Sequence, residues 1–180
     1  MKTFEFSIIA SGFDPEADDF ADRFFNAGCN DSTISFQKGR IILDFARDAE
    51  TIDEAICSAV ECVECAGARV DRIEPDPLVS LADIAARTGL TRAAITQYAK
   101  GQRASADFPA PVARVTSDAS LYDWSQVATW LYRHEKLTRD KAIEATAVKT
   151  ANEAISTHQP KLRELLRARL KNYERELEAA

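Results

Sequence analysis

Pro75 and Pro77 flank a single aspartate near the middle of the chain. Each proline removes a backbone donor and restricts the residue before it, so neither a helix nor a central strand can run through this point. The chain must therefore fold as separate segments on either side. The charge changes at the same place. Residues 1–77 carry 17 acidic and 7 basic side chains, a net −10, whereas residues 78–133 carry 6 basic and 4 acidic, and residues 134–180 carry 10 basic and 8 acidic, +2 in each case. The total of −6 argues against a generic polyanion binder. Only the segments after the prolines suit a polyanion.

With 180 residues, 46% hydrophobic and 29% charged, the chain can build one ordinary domain or two small ones, which excludes wholesale disorder. No run approaches the ~18 consecutive apolar residues of a membrane helix, and the basic-then-apolar layout of a signal peptide is missing, so a cytoplasmic protein with no membrane partner is expected. The four cysteines, at 29, 57, 62 and 65, are expected to be reduced thiols in a chain too large to need stapling.

In the first segment Phe4, Phe6 and Ile8 alternate with Glu5 and Ser7, the period of a half-buried strand. From Asp14-Pro15 onward Ala17, Phe20, Ala21 and Phe24 recur at helical spacing until Gly28. Two β-rich runs, 33–37 and 40–45, flank Lys38-Gly39 and predict a hairpin. Thr51 to Glu54 has the form of a capping box, opening a helix with Ile52, Ile56, Ala59 and Val63 inward, and a strand follows over 70–73. The order β-α-β-β-α-β is a split β-α-β unit with two helices on one face of an antiparallel sheet. Fold alone assigns it no activity.

After the prolines, Ser80 with Asp83 starts a short helix, Gly89-Leu90 turns the chain, and Thr91 caps a second helix that ends at Gly101. Ala85 is small where the two helices would cross, and Ile84, Leu90, Ile95 and Tyr98 supply apolar anchors, as a helix-turn-helix requires. Residues 112–115 and 121–122 are expected to pair as a hairpin around 116–120, ahead of a helix capped by Asp123. Beyond it, Leu137, Ile143, Ala147, Ala151, Ala154 and Ile155 form one stripe, and Leu162, Leu165, Leu166, Leu170, Tyr173 and Leu177 another, separated by His158-Gln159-Pro160. The fold class is thus α+β. Its expected parts are an acidic module over 1–77, a winged helix-turn-helix over 78–134 and a helical segment over 135–180.

Leu81 to Ala85, Thr88 to Arg92, Ile95, Phe108-Pro109-Ala110-Pro111-Val112, and Trp124 with Val127, Trp130 and Leu131 resemble the winged helix-turn-helix of the MerR superfamily, particularly its AlpA- and excisionase-like members. The chain as a whole also looks like bacterial proteins that join a β-α-β-β-α-β module to this unit. The resemblance implies a sequence-specific transcriptional regulator that binds double-stranded DNA, and no enzymatic activity is expected, because the sequence shows no nucleophile–base pair or convergent ligand set. It also implies that the helix beyond the wing dimerises, which would place Leu162, Leu166, Leu170, Tyr173 and Leu177 against a second copy. Such wings usually present basic side chains. Here Arg114 is followed by Asp118 at the tip.

The outer face of the second helix carries Thr91, Arg92, Ala93, Thr96, Gln97 and Lys100, and residues near its N-terminus are those that meet base edges in a major groove. Arg103 and Arg114 complete the expected DNA-contacting set. Outside a matched helix-turn-helix such a face would be ordinary solvated surface. Cys62 and Cys65 lie within about 60° on one helix, but in its last turns, where no N-terminal field lowers a thiol pKa, and Cys57 is about 140° from Cys62. No metal or cofactor is expected. Trp124 and Trp130 are expected in the core, and His134 and His158 at the surface near helix ends. An adaptor or antitoxin-like protein is the competing reading, in which the acidic module binds a protein partner and DNA contact is autoregulatory.

Overall fold

A computed structural model describes residues 1–101 and 107–179. The fold is mixed α+β, and among the described residues it has seven helices, a four-stranded antiparallel sheet and a two-stranded one. Two compact units share the chain. One comprises Met1–Pro75 and Ala147–Lys171, the other Asp76–Thr146 and Asn172–Ala180. The residues of 135–180 are divided between the two.

The first unit holds β1 (Lys2–Ser11), α1 (Phe20–Asn26), β2 (Ser32–Gln37), β3 (Arg40–Ala49), α2 (Ile52–Cys65) and β4 (Arg69–Glu74). The sheet order is β2-β3-β1-β4, all antiparallel, with Phe6 opposite Phe45 and Ile8 opposite both Leu43 and Ile73. Period-two alternation buries Phe4, Phe6, Ile8 and Ala10 of β1 with Ile41, Leu43 and Phe45 of β3, while Ile52, Ile56, Ala59 and Val63 are buried on α2. Two local expectations need correction. The helix α1 begins only at Phe20, because Asp14 accepts a hydrogen bond from the Glu16 N–H and holds the preceding residues in turns. The Thr51 hydroxyl makes no capping hydrogen bond.

The second unit starts with β5 (Leu78–Val79) and continues through α3 (Leu81–Thr88), α4 (Arg92–Ala99), β6 (Tyr122–Asp123) and α5 (Trp124–Arg133). The expected hairpin of 112–115 with 121–122 is reduced to one bridge, Ala113 with Leu121, since Tyr122 pairs instead with Val79. The Trp124 N–H donates to Pro77 O at 2.8 Å, fixing the start of α5 beside the proline segment. Val79, Ile84, Ile95, Val127 and Leu131 are fully buried in this core.

The helices α6 (Arg139–Ser156) and α7 (Leu162–Glu178) contribute to both cores. Ala142, Ala145, Tyr173 and Leu177 join the second. In the first, α7 runs along α2, with Arg163 donating to Glu61 at 2.8 Å and Arg167 3.4 Å from Asp53. Leu166, Leu170, Tyr173 and Leu177 are all buried within the single chain and Leu162 is half-buried. The stripe expected to meet a second copy is occupied by the chain's own residues.

Candidate nucleic-acid interface

Ser80 and Asp83 form a complete capping box at the start of α3. The Asp83 N–H donates to Ser80 Oγ at 3.2 Å, and the Ser80 N–H donates to Asp83 Oδ2 at 2.8 Å. The Ser80 hydroxyl, which also donates to Asp83 Oδ2 at 2.7 Å, and the Ser80 N–H together hold Asp83 in its charged form, so its pKa is lowered from the ordinary carboxylate value. Gly89 ends α3 at φ +70°, a left-handed conformation in which a side chain would be strained. The Thr91 hydroxyl then accepts the Ala94 N–H at 3.2 Å and starts α4. Ile84 and Ile95 are fully buried, which fixes which faces of the two helices remain outside.

On α4, Thr91, Arg92, Ala93 and Lys100 are exposed and Thr96 and Gln97 half-buried. At about 100° per residue Arg92, Thr96, Lys100, Ala93 and Gln97 fall within an arc of about 140°. The Thr96 hydroxyl donates to Arg92 O at 2.8 Å, which leaves its oxygen as an acceptor. No acidic residue lies in the first turn of α4, and the N–H groups of Arg92 and Ala93 have no partner within the helix. Among the described residues Arg92, Lys100 and Arg114 have no carboxylate partner. Arg23, Arg40, Arg47, Arg69 and Arg139, by contrast, are all ion-paired.

Arg114 sits at φ +51° in the loop after the Ala113 bridge, and its carbonyl accepts from Ser117 N at 2.9 Å and Ser120 Oγ at 3.2 Å. Val115 in this loop and Val112 just ahead of the bridge are exposed. Arg103 lies outside the described residues.

An aromatic cluster supports these elements from within. Trp130 packs on Tyr98 at 5.1 Å, Phe108 at 5.0 Å and His134 at 3.9 Å between ring centroids, and its indole N–H donates to Asp107 at 3.1 Å. Both tryptophans are buried. His134, expected at the surface, is half-buried on Trp130. The Arg87 guanidinium lies over Trp124 at 5.2 Å, so this cation is engaged with an indole.

In the first unit Cys62 does not face Cys65, which is exposed. Its Sγ lies 2.6 Å from Cys29 Sγ, and the Arg47 guanidinium is 3.7 Å away. Sequence spacing held no sign of this pair, since 33 residues separate the partners.

Among the described residues, no group of three or more His, Cys, Asp or Glu could hold a metal ion, and no helix is long and apolar enough to cross a membrane. No protein-family model matches the chain, and neither does any curated protein or solved structure.

Proposed function

We propose that the chain is a sequence-specific double-stranded DNA-binding protein that regulates transcription, reading the major groove with α4 of a winged helix-turn-helix. The observation that carries this reading is the outer arc of α4, where Arg92 and Lys100 project without carboxylate partners among the described residues from a helix anchored by Ile95. A guanidinium offers two parallel donors to guanine, and an amide such as that of Gln97 pairs with adenine. The open N–H groups at the start of α4 suit a phosphate. Arg114 adds a cation on the loop that serves as the wing, whose valines leave it less basic than wings of this type usually are.

Selection of bound duplexes from a randomised pool by the full chain tests the reading. Enrichment of one motif is expected, with an affinity that falls steeply with salt. Binding that favours no sequence would remove the regulator, and no binding at low salt would remove the DNA contact altogether.

A further inference from the structure

Cys29 follows Gly28 in the turn after α1, and Cys62 lies in the penultimate turn of α2. Their sulfurs are 2.6 Å apart, against ~2.0 Å in a disulfide, and both are free thiols. The pair is nearly closed to solvent, with Cys29 2% and Cys62 6% exposed. A third group completes the cluster. Arg47, itself buried, donates to Asp31 through Nε at 2.8 Å and Nη2 at 2.6 Å, to Gly28 O at 2.7 Å, and to Cys62 Sγ at 3.7 Å. The fork that fixes the Gly28-Cys29 turn therefore also holds a positive charge against Cys62.

We propose that Cys29 and Cys62 form a reversible oxidation site, at which a small peroxide converts the two thiols into an intramolecular disulfide tying the turn after α1 to α2. Burial selects the oxidant: a peroxide is small enough to reach the pair, whereas a bulky disulfide is not. Cys62 is the attacking sulfur. It forms the S–O bond as the O–O bond breaks, the sulfur losing two electrons to the peroxide. The departing hydroxide takes the Cys62 proton and leaves as water. Cys29 sulfur then attacks the sulfenic sulfur, the S–S bond forms, the S–O bond breaks, and the second hydroxide leaves as water with the Cys29 proton. Two thiols and one peroxide give one disulfide and two waters.

The roles follow from the surroundings. The hydrogen bond from Cys29 and the Arg47 charge outweigh burial and bring the Cys62 thiol down to about 7. Cys29, donating that hydrogen bond in a buried position, is pushed well up and keeps its proton until the second step. Asp31 opposes Arg47 at Cys62, but its carboxylate is spent on the guanidinium fork. When neutral, Cys62 donates to Ala59 O at 3.2 Å. Cys57, raised to about 11 by burial, is outside the pair.

The test uses the full chain carrying Cys65→Ser, so that the exposed thiol takes no part, treated with hydrogen peroxide and then acid-quenched, alkylated and mapped by peptide mass. One Cys29–Cys62 cross-link is expected, lighter by two hydrogens and reversed by dithiothreitol. It should raise the unfolding midpoint by about 10 °C, since it closes a long loop. Its rate of formation should rise with pH through about 7 rather than the ~8.5 of a free thiol. Arg47→Lys should slow it roughly fivefold at neutral pH. Formation only in denaturant, cross-links between chains, or oxidation that stops at sulfinic acid without a disulfide would each overturn the proposal. These readouts on the Cys65→Ser chain decide it even if Arg47→Lys fails to fold.

Discussion

Asn152 and the backbone of Ile73 exchange two hydrogen bonds: the Ile73 N–H donates to Asn152 Oδ1, and Asn152 Nδ2 donates to Ile73 O, each at 2.8 Å. Ile73 lies in β4, an edge strand of the sheet, so a carboxamide on α6 supplies what a neighbouring strand would have given. An edge left open at a buried residue would carry an unpaired donor and acceptor.

Asn152→Ala is accordingly expected to lower stability by about 1–3 kcal/mol, and Asn152→Asp by more, because a carboxylate accepts only and would face the Ile73 carbonyl. Urea unfolding measures both. Equal midpoints for Asn152→Ala and the parent chain would show that water replaces the side chain without cost.

For DNA, Arg92→Ala and Gln97→Ala are each expected to cost roughly 1–3 kcal/mol on the selected duplex and little on random duplex, while Lys100→Ala weakens both alike and lowers the salt slope by about 1. Titrations of labelled duplex at several salt concentrations separate the cases. Parallel losses on the two duplexes would take Arg92 and Gln97 off the base edges.

Leu166 is fully buried in the first unit, so Leu166→Ala is expected to cost about 2–5 kcal/mol of stability and to leave the mass in solution unchanged. Light scattering over a dilution series, run beside denaturant unfolding, checks both halves. A halved mass in the variant would return this stripe to an interface between copies.

The Ser80–Asp83 box adds a pH dependence. The folded pKa of Asp83 is depressed, so its contribution is present above the unfolded value of ~3.9 and is lost as pH falls through the lower folded value. Asp83→Asn should therefore narrow the stability difference from the parent chain as the solution is acidified below about 4. Ser80→Ala, which removes the cap at any pH, should cost about 0.5–2 kcal/mol. Chemical denaturation at pH 7 and at pH 3 tests the pair, and a difference between Asp83→Asn and parent that stays constant over this range would contradict the assignment.

The strands and helices that alternation and caps announce are the ones legible in the sequence. The α+β class was readable in this way, as were β1 from Phe4, Phe6 and Ile8, and α3 from Ser80 and Asp83. What escaped reading has a common cause. β5 and β6 have two residues each, too few to show a period, and their pairing is decided by a Trp124 N–H that needs Pro77 O. The α7 periodicity shows that a face must be covered, but a helical repeat does not encode whether the cover is the same chain or another. Cys29 and Cys62 meet through sheet and helix packing, which local spacing does not report. On the outer arc of α4, the residue types and their order were visible beforehand, and the side chains' freedom from carboxylates was not.

The second core is closed by residues far apart in the order of synthesis. Tyr173 shares a 2.5 Å hydrogen bond with Thr129 and is buried with Leu177 in the same cluster as Ile84, Ile95 and Trp130. A nascent chain that has emerged only to residue 160 has already released α3, α4 and α5 but still lacks the side chains that seal them. That core therefore reaches its final setting only after Leu177 leaves the ribosome, and prematurely terminated products lacking that turn would be substrates for proteolysis.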